Sequence, residues 1–193
     1  MFSGSRLSLL FIATVIALST VDETLAQSEE CVGMFDVVVM LDTSEEVDAD
    51  IFAQFRKLCP ELVKLFDIRK DGTHLALVTM NSEKEMVMRK FNDEVMDKDA
   101  ILADLAENEL VQQGTRKLRR GLREARKQVL TAAMGDREGV LNKCLLMTTE
   151  KQKLLDENPQ YQKIQEDCDM FIVLRKGGDM DLDMVRSKVC LNA

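Results

Sequence analysis

Seven consecutive residues, Phe35-Asp36-Val37-Val38-Val39-Met40-Leu41, constrain this chain more than any other segment. The run is apolar except for Asp36 and rich in β-branched residues, and it lacks the alternation of a strand with one wet face. A strand of this kind is buried on both sides, so helices must cover both, and the sequence supplies them. Ile51, Phe55, Leu58, Leu62 and Leu65 recur at steps of four and three, the pattern of one apolar helix face. After the Asp71-Gly72 turn signal, Leu75 to Met80 predicts a second strand. Met86 to Phe91 predicts a third, linked so tightly that an antiparallel edge hairpin is expected.

Helices are predicted over Lys98–Glu107 and over Arg116–Met134, the second carrying Leu118, Leu122, Ala125, Val129 and Ala132 on its inner face. Leu141–Met147 and Met170–Leu174 read as further inner strands, separated by a polar segment with Pro159 and a short helix. One more short helix fits between Asp181 and Cys190. Strands alternating with helices predict a doubly wound, mostly parallel α/β sheet with one antiparallel edge strand and helices on both faces. Ligands in such folds sit beyond the carboxyl ends of the strands. Three loops meet there: after Leu41, before Arg116 and after Met147.

Composition narrows the chemistry. The chain has 26 Lys+Arg against 34 Asp+Glu, a net charge of −8, which disfavours a nucleic-acid binder acting through bulk positive charge. With His74 as its one histidine, no tryptophan and Tyr161 as its one tyrosine, it has little material for imidazole catalysis, a zinc centre or base stacking. No glycine-rich loop follows Leu41 and no G-x-S-x-G elbow occurs, and His74 begins a strand at the edge opposite the ligand crevice. No catalytic residue is therefore assigned. Residues 1–26 read as a secretory signal: Arg6 precedes the apolar run Leu7–Leu18, and Thr24-Leu25-Ala26 offers a cleavage site. The run is too short to span a bilayer. A secreted, extracellular chain with one domain over residues 31–193 is expected, in a compartment that permits disulfides.

The order and spacing from Phe35 to Leu174 resemble a von Willebrand factor type A domain. The matching features are the apolar strand ending in Asp42-Thr43-Ser44, the second strand, Phe91-Asn92-Asp93, a Lys-containing short helix, Gly114-Thr115 before a long helix, and two more apolar strands. The resemblance implies a site for a divalent cation, usually magnesium, at the carboxyl edge of the sheet. In the family an Asp-x-Ser-x-Ser loop, a threonine and an aspartate hold it, and a partner's carboxylate can complete the shell. Here Asp42 and Ser44 match, Glu46 stands at the second serine, and Thr115 lies one residue farther from Gly121 than usual. Thr148-Thr149-Glu150 replaces Thr-Asp-Gly.

The resemblance thus implies a degenerate metal-ion-dependent adhesion site. Its candidate ligands are Asp42, Ser44, Glu46, Thr115 and Thr149, holding either no metal or magnesium. The same residues also read as helix ends, Thr43-x-x-Glu46 as a capping box and Thr115 as an N-cap. Cys31 and Cys190 are placed as in family members whose domain ends are tied by a disulfide, although the chain is expected to lack the family's last strand and helix. Cys144 reads as a buried free thiol, and Cys59 and Cys168 either pair or stay reduced. One thiol is left over, so an intermolecular bridge and an oligomer are open.

Arg116, Lys117, Arg119, Arg120, Arg123, Arg126 and Lys127 set seven cations within twelve residues. The stripe is either a solvated face or a contact for an acidic protein surface or acidic glycan, with Arg116, Lys117, Arg119, Arg120 and Arg123 nearest the carboxyl edge. The expected function is that of a secreted, non-catalytic adhesion- or matrix-type module that recognises a partner protein through the carboxyl edge without a full metal site. The alternatives are magnesium-dependent binding at Asp42, Ser44 and Thr115, and a hydrolase of the doubly wound class.

Overall fold

The computed structural model describes residues 31, 33–83, 87–92, 96–107, 110–174 and 182–190. The signal segment over 1–26 and the predicted positions Met86, Asp93 and Asp181 lie outside them. Five strands form one sheet: β1 (Phe35–Leu41), β2 (His74–Thr79), β3 (Val87–Arg89), β4 (Leu141–Thr148) and β5 (Asp169–Leu174). Their order is β3-β2-β1-β4-β5, parallel throughout except for the antiparallel β2–β3 pair. β1 is central and buried along its whole length. β5, expected as an inner strand, pairs only with β4 and lies at the edge of the described sheet. Its first apolar residues, Met170 and Phe171, pack against the two cores from opposite faces.

Alternation along β1 builds two cores, since successive side chains leave opposite faces of a strand. Val37, Val39 and Leu41 join Leu75, Leu77, Leu145 and Met147 under α1 (Ala49–Leu65), α2 (Lys98–Glu107) and, at the far end of the chain, the helix Leu182–Cys190. Val38 and Met40 join Ala76, Val78, Cys144 and Leu146 under α3 (Leu118–Gln128), α4 (Gln152–Asp156) and α5 (Pro159–Asp167). The helix Leu182–Cys190 is α6. No helix among the described residues is long and apolar enough to cross a membrane.

Two helix boundaries differ from expectation. Asp48, not Thr43, caps α1, its carboxylate accepting from the Asp50 amide at 2.9 Å, so Thr43 and Glu46 form no capping box. α3 begins at Leu118 and ends at Gln128, and a short 3₁₀ turn, Ala132–Met134, follows. Thr115 therefore caps no helix. Leaving the helix after Gln128 lets Val129 and Leu130, adjacent in sequence, both enter the core. Within α3, Gly121 permits close approach to the sheet: a Cβ there would collide with the Met80 side chain.

Cys31 and Cys190 are joined by a disulfide, with their Cα atoms 5.2 Å apart, tying the strand entrance to α6. Cys144 is not a free thiol. It bonds Cys168, with a Cα separation of 6.0 Å, because the β4–β5 register sets Cys144 opposite Met170 and α5 ends at Cys168 beside it. Cys59 is the free cysteine, buried in α1, and burial pushes its thiol up to about 12. A thiol so placed offers no bridge to a second chain.

At the amino end of β1, Asp36 has no exposed surface. Arg137 meets it with its backbone amide at 2.8 Å and with Nε and Nη2 at 2.9 and 2.7 Å. Removing one partner of a buried pair strands the other, at a cost of about 3–5 kcal/mol. Arg137→Ala is therefore expected to lower unfolding free energy by about 3 kcal/mol in urea denaturation. A thiol reagent should find no reactive cysteine in the native protein and, after denaturation without reductant, only Cys59.

Candidate functional site

The carboxyl edge is assembled by register. Leu41 pairs with Thr79 on one side and Met147 on the other, so the chain leaves β1, β2 and β4 at one level. The Asp42 amide donates to Met147 O and the Met80 amide to Leu41 O, both at 2.9 Å, which holds the three exits together. From β1 the chain winds first toward β2 and later returns on the β4 side. The crevice between Asp42 and Thr148 is thus the switch point, where doubly wound sheets bind ligands.

Asp42, Thr43, Ser44 and Thr148 are all buried. Asp42 Oδ1 accepts from the Ser44 hydroxyl at 2.7 Å and the Ser44 amide at 3.2 Å. Asp42 Oδ2 accepts from the Thr148 hydroxyl at 2.8 Å and from Arg116 Nε at 2.6 Å. Four donors fill the four lone-pair positions of the carboxylate. Thr148 was missed from the sequence. The signal was its place at the end of β4, where side chains reach the crevice.

Arg116 is the hub of the edge. Its guanidinium reaches Asp42 through Nε, Glu150 through Nη1 at 3.3 Å and Thr149 Oγ1 through Nη2 at 2.8 Å. Glu46 Oε2 stands 3.6 Å from Nη1, and Glu46 Oε1 accepts the Arg116 backbone amide at 3.0 Å. The side chain is 12% exposed. Burial opposes its charge, but Asp42 first, and then Glu150 and Glu46, more than offset this, so the guanidinium titrates above its ordinary value.

A fourth loop, after β2, completes the frame. Asn81 donates to Thr43 Oγ1 at 2.7 Å, and Ser82 Oγ accepts the Thr115 amide at 3.0 Å. The loop before α3 is fastened to the Asp42–Val47 loop: Gln112 donates to Ser44 O and Val47 O, the Gln113 amide to Thr43 O, and the Glu45 amide to Gly114 O. Gly114 adopts φ 63°, in the left-handed region that favours glycine. The family's threonine position, Thr115, is an exposed loop residue here.

A sequence model of the von Willebrand factor type A domain matches residues 36–180. The chain belongs to that family. Among solved structures, the VWA fold is similar to proximal thread matrix protein 1 of the mussel byssus, solved with zinc in its MIDAS motif, at a TM-score of 0.60 and 18% identity. That match covers 83% of this chain and 39% of the mussel chain. A manganese-loaded TRAP protein of Plasmodium vivax matches at a TM-score of 0.59 and 14% identity, over 83% of this chain and 63% of the other. This chain therefore spans less than two thirds of either neighbour. At such identities the likeness concerns the fold.

The residues here fit a divalent ion poorly. Magnesium demands near-octahedral oxygen ligands, whereas the carboxylate best placed to bind it is saturated by two hydroxyls, an amide and a guanidinium. Among the described residues no group of three or more His, Cys, Asp or Glu side chains is arranged to hold a metal. Of the sequence candidates, Asp42, Ser44, Glu46 and Thr149 do converge, but on or around Arg116.

Arg116 thus faces inward and leaves the exposed stripe to Lys117, Arg119, Arg120 and Arg123. Arg123 shares its charge with Glu124 at 3.0 Å, and Arg126 pairs with Asp167 at 2.6 Å. Lys117, Arg119, Arg120 and Arg123 line an open cleft of about 650 Å³ together with Leu154, Asn158, Gln160, Arg116, Glu46 and Glu150. His74 stands at the other edge of the sheet, beside Asp36. Asp42→Asn replaces a full acceptor with an amide and leaves Arg116 short of its main counter-charge. A loss of about 3 kcal/mol in urea-induced unfolding is expected.

Proposed function

We propose that this VWA domain is an extracellular, non-catalytic protein-binding module of the adhesion or matrix kind, which receives an acidic partner segment at its carboxyl edge without a divalent cation. The cleft carries this reading. Its α3 wall gathers Lys117, Arg119, Arg120 and Arg123 on a chain whose net charge is −8. Opposite charges across an interface steer encounter and fix register, and a local basic wall on an acidic molecule selects acidic partners. The crevice beside it surrounds one guanidinium with three carboxylates, so a partner's acidic groups are better placed on the α3 wall than on Arg116. Leu154 adds an exposed apolar contact to the same cleft.

Secretion rests on the signal-like residues 1–26 and is supported by two disulfides, which belong to oxidising compartments. The competing reading is magnesium-dependent binding at Asp42, Ser44 and Thr115, and the metal carried by the two structural neighbours favours it. The saturation of Asp42 weighs against it.

Affinity capture from extracellular extracts separates the two readings. Wild-type protein is expected to retain its partner in EDTA and lose it as salt rises, because screening weakens exposed charge contacts. The triple variant Lys117→Glu/Arg119→Glu/Arg120→Glu should fold normally by circular dichroism and lose capture at least about tenfold. Loss of capture in EDTA alone would support the metal-dependent reading. Unchanged capture by the triple variant would show that the α3 wall is not the contact.

A further inference from the structure

We infer that Arg116 is a built-in cation occupying the place of a divalent ion, and that its side chain is what closes this VWA domain to metals. The inference deepens the metal-free reading above, but it concerns the isolated domain and is tested without any partner.

Three observations support it. The guanidinium is held by the loops that follow two neighbouring strands: Asp42 and Glu46 between β1 and α1, and Thr149 and Glu150 after β4. Asp42, Glu46 and Thr149 are three of the five oxygen groups that sequence resemblance nominated around a cation, while Ser44 donates to Asp42 and Thr115 stays outside. Each of the three instead accepts from, or pairs with, the same side chain. Arginine suits this task because its planar head offers five N–H donors in fixed directions and keeps its charge at any physiological pH. Lysine would supply a point charge without the fork.

The second observation is backbone placement. Arg116 lies two residues before α3, with its amide held by Glu46, and the preceding Thr115 amide is held by Ser82. The chain is thus tethered so that residue 116 enters the crevice, while Lys117 and Arg119 remain outside. The third is charge balance. Asp42, Glu46 and Glu150 around a single positive charge leave the crevice formally negative, so it keeps an attraction for cations that the presence of Arg116 obstructs. Removing that side chain should therefore create a divalent site from oxygen ligands already present, and a flexible ligand set of this kind suits manganese or calcium better than magnesium.

The experiment compares wild type, Arg116→Ala and Arg116→Lys by Mn²⁺ electron paramagnetic resonance and by thermal unfolding with EDTA, Mn²⁺ or methylguanidinium. Wild type is expected to leave millimolar Mn²⁺ free and to unfold at the same temperature with the ion or with chelator. Arg116→Ala should melt lower in EDTA and recover with Mn²⁺ or with methylguanidinium, the two additives competing, with Mn²⁺ bound at least about tenfold more tightly than by wild type. Arg116→Lys should keep its fold and bind Mn²⁺ no better than wild type.

If Arg116→Ala does not fold alone, refolding in either additive is the readout, and recovery supports the inference. Mn²⁺ binding by wild type would overturn it. So would an alanine variant, folded or unfolded, that responds to neither additive, or a lysine variant that binds Mn²⁺ as well as the alanine variant does. The result is independent of partner capture, so the docking surface and the built-in cation can fail separately.

Discussion

A carboxylate with no exposed surface must be met by donors wherever the fold buries it, and the central strand carries one at each end. Asp36 opens β1 and Asp42 follows its last residue, both fully buried. Each is met by an arginine from a distant loop, Arg137 ahead of β4 and Arg116 ahead of α3. The two pairs bracket the strand on which both cores are built. They also fix the loops that leave the sheet, because neither arginine can shift without uncovering a charge in the interior.

The pairs are similar in chemistry and different in consequence. At the amino end Arg137 also donates to Phe35 O, and the contact fastens the approach to β4. At the carboxyl end Arg116 meets the aligned exits of β1 and β4, the location at which this sheet topology offers a binding crevice. The interaction that stabilises the edge is therefore also the one that, in the reading proposed above, closes it to metals. Its guanidinium fills the crevice, and Lys117, Arg119, Arg120 and Arg123 line the adjacent cleft. In the proposed function, recognition moves sideways, from the end of the sheet to the flank of α3.

Much of the architecture was readable because it follows from local pattern. The all-apolar run of β1 required cover on both faces, the four-three spacing of α1 supplied half of it, and the tight β2–β3 link indicated an antiparallel edge. Positions whose role depends on a distant neighbour were less legible. Cys144 sits in an apolar strand and reads as an inert thiol until the β4–β5 register brings Cys168 beside it. Thr43, Glu46 and Thr115 have the composition of helix caps, but Asp48 caps α1 and Glu46 and Thr115 are drawn into the contacts around Arg116 and Ser82. β5 has the composition of an inner strand while lying at the edge of the described sheet.

Arg116 shows the division best. By itself the sequence determined a doubly wound α/β domain, a crevice near Asp42 and a cluster of cations beginning at residue 116, since hydrophobic period and charge spacing are properties of neighbouring residues. It presented Arg116 as the first of several similar cations on a helix face. Tertiary structure alone decided that this one turns inward and the next ones do not. The reason is electrostatic: a buried Asp42 binds the one arginine whose backbone is tethered within reach, and the energy of that pairing exists only after β1, β4 and the loop before α3 have been brought together.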